Sequence, residues 1–468
     1  MKRQHEGRDS EYTKRRRATY EQSERPRKRS SPDDAKSLPT RAHLYNERFP
    51  YFRKPAEIGH FSIDANRAFF NDDRQLKYYF PPKDPRRIDF DLRKGYDIFI
   101  KKNEDHKDRL DLLLKWILAN RDKFELHSKS HNSSSGKDEK SEEDAKEEGN
   151  SRTKQSDGQS IEEKTQGTQE NAQGTKEDEE RVQKEEDEEK VQKEERNQKT
   201  YNLNTDFVTW RGHLTKILCT PYENRDGWLM AVSLYNGTYY MSEVETEEAK
   251  QQRESMTDKH KEMTYWGVKF EQYVTSVDGE TSPDTEEAVN NIDGYCAVVR
   301  TRLNSHSLVF SGEVDCCESP KHRTQSGYIE LKTSREMDTD RQYRNFKRFK
   351  LLKWWAQSFL PGVPRIICGF RDDDGRVVRL QNYDTLKIPD LCKADYNSWN
   401  PAVCFTFCDK FLSFVKSVVK RDDPRVVYLF EWNPTSAMVT FTVHEEPEHC
   451  FLREWYLDST TEETSTSE

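Results

Sequence analysis

Two short stretches decide how this chain reads: Ser307-Leu308-Val309-Phe310-Ser311-Gly312-Glu313-Val314-Asp315-Cys316, and Tyr328-Ile329-Glu330-Leu331-Lys332-Thr333. Side chains alternate along a strand, so Leu308, Phe310, Val314 and Cys316 share one face while Glu313 and Asp315 share the other. In the second stretch Ile329 and Leu331 point one way, Glu330 and Lys332 the other. Both therefore read as strands with an apolar back and a charged front. Composition alone generates such triplets: with 86 acidic and 77 basic residues, about 14 acid-x-base triplets are expected by chance. An exposed hairpin with a charged outer face would show the same pattern, with Lys332 a surface partner worth under about 1 kcal/mol. A concave front instead brings three carboxylates together, and like charges that close resist joint ionisation unless something positive lies among them. A pair of divalent ions on oxygen ligands satisfies that need and suits a phosphoryl displacement, stabilising both the attacking and the leaving oxygen.

Outward from these strands, Tyr265-Trp266-Gly267-Val268-Lys269-Phe270-Glu271 reads as a helical segment that offers a fourth acid, Glu271, although an ordinary exposed helix position fits it equally well. Arg341–Phe359 reads as one helix. Lys347, Lys350, Lys353 and Gln357 recur on it at three- and four-residue intervals, giving a basic stripe suited to solvent or to a phosphate backbone. Glu104–Leu126 and Cys404–Lys420 are further expected helices, the first on the apolar period of Leu110, Leu113, Leu114, Ile117, Leu118 and Phe124. Strands are expected at Trp228–Val232, Gly237–Met241, Tyr295–Arg300, Arg365–Phe370, Arg425–Trp432 and Met438–His444. Strands and helices without βαβ alternation predict an α+β fold, a single domain with a mixed β-sheet core flanked by helices.

Only 32% of the 468 residues are hydrophobic and 35% are charged, so part of the chain has too little apolar surface to order itself. Residues 128–200 hold 22 acidic and 14 basic residues, a net of −8, and no aromatic. They read as a disordered acidic insert within one catalytic domain formed by 38–127 and 201–458. Residues 1–37 carry 12 basic and 7 acidic residues and read as a disordered basic tail. Its runs Lys14-Arg15-Arg16-Arg17 and Arg25-Pro26-Arg27-Lys28-Arg29 have the character of nuclear import signals, so a nuclear location is expected. Residues 459–468 read as a short disordered tail. The nine cysteines form no CxxC and no zinc-type spacing, and with no long apolar run, no membrane association is expected.

The acid, then Glu-x-Lys, arrangement matches the broad PD-(D/E)xK nuclease pattern. A more specific resemblance follows from motifs that occur in order: Trp210-Arg211-Gly212-His213-Leu214-Thr215-Lys216, Ser242-Glu243-Val244-Glu245-Thr246, Gly267-x-Lys269-Phe270-Glu271 and Ser311-Gly312-Glu313-Val314-Asp315. After them come Glu330-Leu331-Lys332-Thr333-Ser334, Lys353-Trp354-Trp355-Ala356-Gln357-Ser358-Phe359-Leu360-Pro361-Gly362 and Gly369-Phe370-Arg371. Together they resemble the decapping exoribonuclease family called DXO or Dom3Z, close to its animal members, over 38–458 apart from the insert.

That resemblance implies a divalent-metal-dependent hydrolase. Such an enzyme removes incompletely methylated caps, nicotinamide-dinucleotide caps or 5′ triphosphates from RNA and continues as a 5′-to-3′ exoribonuclease. It implies two Mg²⁺ or Mn²⁺ ions on Glu271, Glu313, Asp315, Glu330 and the Leu331 carbonyl. It also implies Lys332 and Gln357 at the scissile phosphate, and Trp210, Arg211, Gly212, Cys296 and Arg67 at the RNA 5′ end. Asp108 falls at a further substrate position where the family more often has glutamate. The expected partners are RNA 5′ ends and, as for some fungal relatives, a separate exoribonuclease that a weakly active relative would serve as activator; a monomer is expected. A DNA-directed nuclease of the same broad fold conflicts with the motifs outside the acids. Neither the ranking of 5′ ends nor the preferred metal follows from the sequence, and the acidic insert is longer than the family's loop at that place.

Overall fold

The computed structural model describes residues 36–105, 107–124 and 202–460. The basic clusters of the amino-terminal tail, the insert at 128–200 and the segment 461–468 lie outside the described residues. In chain order the main strands are β1 (Ala56–Ile63), β2 (Phe207–Trp210), β3 (Trp228–Tyr235), β4 (Thr238–Val244), β5 (Gly294–Leu303), β6 (His306–Glu313), β7 (Cys316–Cys317) and β8 (Tyr328–Arg335). They are followed by β9 (Arg365–Arg371), β10 (Arg376–Asp384), β11 (Val427–Trp432) and β12 (Met438–His444). The helices used below are α1 (Asp111–Ala119), α2 (Arg211–Cys219), α3 (Asp258–Val274), α4 (Leu352–Phe359), α5 (Pro401–Val418) and α6 (Glu454–Thr460).

The strands form two mixed sheets. The larger runs β12-β11-β3-β4-β2-β6-β5-β1, with two-residue strands at either edge, and β2 lies parallel to both β4 and β6. The smaller runs β10-β9-β8-β7, again extended by two-residue strands, with β8 and β9 parallel. The α+β class and mixed-sheet core expected from the sequence are therefore present, but the core is two sheets rather than one.

The chain passes between the sheets within Ser307–Cys316. Ser307–Cys316 is not one strand: β6 ends at Glu313 in the larger sheet, and Cys316 begins β7 in the smaller one, opposite Ile329. Val314 still donates to the Tyr295 carbonyl at 3.0 Å, whereas the Cys317 amide has turned to the Lys77 carbonyl at 2.8 Å. Asp315 sits at the crossing. Alternation along a single strand therefore does not account for Glu313 and Asp315, and the charged-front picture fails for β6, because Val309 and Ser311 are as buried as Leu308 and Phe310. A strand with β5 on one side and β2 on the other, covered on both faces, leaves polarity to its end.

Helix starts follow local chemistry. Asn400 caps α5 by accepting from the Ala402 amide at 2.9 Å, with Pro401 at the first turn. The helix then buries Val403, Phe407, Phe411 and Val415 against a core that includes Trp228, Phe430 and Trp432. Thr257 caps α3 through the His260 amide, and Asp258 in the first turn favours the helix dipole. α3 packs on β8. Gly369 on β9 permits that approach: a Cβ there would lie 2.6 Å from Phe270 Cε2. Phe270, fully buried, contributes roughly 1.5–3 kcal/mol and fixes the helix that carries Glu271.

Three expected boundaries differ. The helix expected over 104–126 is only α1 followed by a 3-10 turn at Arg121–Lys123, because Arg109 adopts a left-handed φ of 47° just before it. The 341–359 helix is continuous but contains a π turn, Phe346–Leu351, between α segments. α6 runs to Thr460, into residues read as tail. No helix among the described residues is long and apolar enough to cross a membrane.

Candidate active site

Four acids and one lysine come from three elements and the β6–β7 crossing. Glu271 rides on α3, Glu313 ends β6, Asp315 lies at the crossing, and Glu330 and Lys332 are on β8. Glu330 is 1% exposed. One of its oxygens accepts from Lys332 Nζ and the other from Arg211 Nη1 at 3.2 Å. Asp315 accepts from the Leu331 amide at 2.6 Å, which ties the crossing to β8 one residue from Glu330.

The electrostatics divide these acids into two kinds. Burial would raise the Glu330 carboxyl, but Lys332 and Arg211 outweigh it and hold it below the usual range. Burial and then Glu330 push Asp315 up to about 7, against the pull of Lys332 and the Leu331 amide. Burial, with Asp315 and Glu313 adding repulsion, carries Glu271 well above the ordinary glutamate range. Lys332 remains charged: Glu330 and Asp315 more than offset its desolvation. Fully ionised, the four acids would outnumber the cluster's two cations, Lys332 and Arg211, and all the acids' ligand atoms are hard oxygens. That fits divalent cations of the Mg²⁺ or Mn²⁺ kind. Glu330 is engaged by Lys332 and Arg211, and Asp315 by the Leu331 amide. Among the described residues, the set whose ligand atoms all lie within 4.8 Å of each other is His444, Glu446 and His449, not the four acids.

Beside the cluster lies a cleft of about 740 Å³, lined by Arg67, Asp108, Trp210, Arg211, Gly212, Cys296 and Glu313 among others. The six substrate-contact candidates at the RNA 5′ end therefore line one cavity, together with Glu313 from the acid cluster. Arg211 joins cleft to cluster. It is 8% exposed, starts α2, and donates to the Glu313 carbonyl at 3.0 Å as well as to Glu330, while its buried Nε has no hydrogen-bond partner among the described residues. Gly312 makes room for it, since a Cβ there would meet Arg211 Cβ at 2.9 Å. Cys296 lies opposite Glu313 across β5 and β6; burial and the Glu313 carboxylate keep its thiol protonated.

Asp108 lines the cleft with its carboxylate already engaged. Its carboxylate is held by Arg67 and by Lys102 Nζ, the latter at 3.0 Å, and these cations outweigh burial to keep it ionised. Arg67 has a left-handed φ of 62°, a strained backbone of the sort found at functional positions. Lys102 escaped the sequence reading because no motif or period surrounds it. His213 escaped too, although it stands inside a quoted motif: it lines the cleft, its ring lies 3.3 Å from the Met241 carbonyl and accepts from the Glu243 amide at 3.3 Å, and burial lowers it to about 4. Lys269, from the Glu271 motif, is structural: buried, it donates to Gln272 and to the Thr285 carbonyl at 2.8 and 2.7 Å.

Gln357, half-buried on α4, is not among the residues lining the cleft, and no hydrogen bond joins it to the acids among the described residues. The expected basic stripe is largely spent within the fold. Lys347 pairs with Asp395 at 3.1 Å, Lys353 with Glu223 at 2.8 Å, and Lys350 donates to Ser334 at 3.2 Å.

The family model described as RAI1-like PD-(D/E)XK nuclease matches residues 53–146 and 175–457. The decapping and exoribonuclease protein of Xenopus laevis is 40% identical over 429 residues, covering 90% of this chain and 90% of that protein. Among solved structures, Scheffersomyces stipitis Rai1 in complex with (3′-NADP)⁺ and calcium aligns with a TM-score of 0.65 at 22% identity, over 92% of this chain and 99% of that one. Candida albicans Rai1 in complex with pU5-Mn²⁺ aligns with a TM-score of 0.63 at 23% identity, over 88% and 94%.

Proposed function

The chain belongs to the RAI1-like PD-(D/E)XK nuclease family, and from that premise we propose that it is a metal-dependent RNA 5′-end decapping nuclease that continues as a 5′-to-3′ exoribonuclease. Its substrates on this reading are RNAs with incompletely methylated caps, nicotinamide-dinucleotide caps or 5′ triphosphates. The observation that carries the proposal is the acid cluster, with Glu330 buried at its centre, opening through Arg211 onto a cleft wide enough for a nucleotide end.

Glu271, Glu313, Asp315, Glu330 and the Leu331 carbonyl would hold two divalent cations, Mg²⁺ or Mn²⁺. Bound there, the cations supply Lewis acidity for phosphodiester hydrolysis. The protein's own groups do the rest. Lys332, kept charged by Glu330 and Asp315, stabilises negative charge that develops on the scissile phosphate. Arg211, at the amino end of α2 with Gly212 beside it, binds the 5′-terminal phosphates, where the helix dipole adds to its charge. Asp108 acts at one remove, holding Arg67 and Lys102 so that both face the cleft. Gln357 is the phosphate contact with least support, since it lies apart from the cleft lining. The intact acids and lysine favour a nuclease over a purely accessory partner.

The test is cleavage, with Mg²⁺ or Mn²⁺, of RNAs bearing triphosphate, unmethylated-cap, methylated-cap, nicotinamide-dinucleotide-cap or monophosphate ends. Cleavage of the incomplete and dinucleotide ends is expected; a folded protein that cuts none of them is not this enzyme. The basic runs at 14–17 and 25–29 support a nuclear location. Nuclear accumulation of a reporter fused to residues 1–37 is expected, and an even spread through the cell would count against it.

A further inference from the structure

Away from the acid cluster and the cleft, the end of β12 and the 3-10 turn Pro447–His449 bring His444, Glu446 and His449 together. One ligand atom from each lies within 4.8 Å of the others. His444 Nδ1 is 3.7 Å from Glu446 Oε2, and the two imidazole centroids are 4.2 Å apart. Pro447 starts the turn that folds His449 back: the His449 amide donates to the Glu446 carbonyl and the Cys450 amide to the Pro447 carbonyl, both at 3.1 Å.

Two imidazoles and a carboxylate suit a borderline ion such as Zn²⁺, whereas Mg²⁺ prefers oxygen alone. A ligating histidine normally hydrogen-bonds through its other ring nitrogen, which fixes its tautomer. Thr442, two residues back on the same face of β12, places its hydroxyl 2.8 Å from His444 Nε2, leaving Nδ1 toward Glu446. Cys450 is not a fourth ligand, because its thiol faces the Arg425 carbonyl at 3.5 Å.

We propose that His444, Glu446 and His449 bind one Zn²⁺-type cation, distinct from the cations of the acid cluster, and that this cation braces the cleft wall. The brace runs through side chains that donate to backbone carbonyls. The Cys450 carbonyl accepts from Arg109 Nη1 at 2.7 Å, and the Arg109 carbonyl accepts from Trp210 Nε1; Arg109 and Trp210 both line the cleft.

The experiment is a Zn²⁺ titration of the chelator-stripped full chain in excess Mg²⁺, followed by calorimetry and by metal analysis after dialysis. Wild type is expected to bind one more Zn²⁺ equivalent than His444→Gln/His449→Gln, and Zn²⁺ to raise the melting temperature of wild type only. Thr442→Val should keep that equivalent with about tenfold weaker affinity. Equal stoichiometry in wild type and a folded double variant overturns the site. Should the double variant not fold, Glu446→Gln and Thr442→Val decide: weakened Zn²⁺ binding in both supports the site, and unchanged binding in both overturns it.

Discussion

The acid cluster and the cleft wall lie side by side and are built on opposite electrostatic plans. In the wall, the Asp108 carboxylate is fully partnered by Arg67 and Lys102, which leaves one net positive charge before any substrate arrives. In the cluster, Lys332 and Arg211 satisfy Glu330, while Asp315 and Glu271 are pushed toward protonation. The wall holds a shape; the cluster holds unmet charge. A partnered region tolerates loss of one member at modest cost, whereas a region awaiting cations loses its function when the balance shifts.

The largest contrast is expected from Glu330→Gln, which removes the one acid that Lys332 and Arg211 both grip. RNA cleavage should fall by about a hundredfold or more, with cation affinity falling in parallel by calorimetry. Retention of more than a tenth of wild-type cleavage would place the chemistry elsewhere. Arg211→Ala comes next, because it touches both regions. Loss of a charge-assisted contact to the 5′ phosphate should raise KM about tenfold, and a change confined to kcat would instead assign Arg211 to the cluster alone.

Asp108→Asn tests the wall by itself. Arg67 and Lys102 lose their shared partner but keep their charge, so KM should rise by about threefold with kcat preserved. A collapse of kcat would show that Asp108 acts in the chemical step rather than through the cleft wall. The smallest effect is on stability. The Asp315 carboxyl, with an ordinary value of about 4, stands near 7 in the folded protein. The folded state therefore binds the extra proton, and the stability this gives is full below about pH 4 and lost as pH rises through 7. Cation binding needs the deprotonated form. Mn²⁺ should consequently raise the melting temperature by a few degrees more at pH 8 than at pH 5.5, and an equal rise at both would separate Asp315 from the cation.

The comparison also marks how far the sequence could be read. Glu313, Asp315, Glu330 and Lys332 were legible because motifs flank them, and Glu271 because its helical segment carries one. The reason first given for Glu313 and Asp315, alternation on one strand, was not the physical one: the chain leaves one sheet at Glu313 and enters another at Cys316. Pairing between distant segments, such as Cys316 with Ile329, leaves no local mark. The Lys102–Asp108–Arg67 pairing was illegible for the same cause. The Lys347–Lys353 stripe misled, since its partners Asp395 and Glu223 lie far off in sequence.

The central claim is tested most directly by Glu313→Ala/Asp315→Ala, assayed on nicotinamide-dinucleotide-capped and triphosphate RNA with Mn²⁺, alongside calorimetric Mn²⁺ titration. Loss of cleavage together with loss of Mn²⁺ binding, in a protein that still melts cooperatively, is predicted. Cleavage at the wild-type rate would contradict the assignment of the cation centre to these acids.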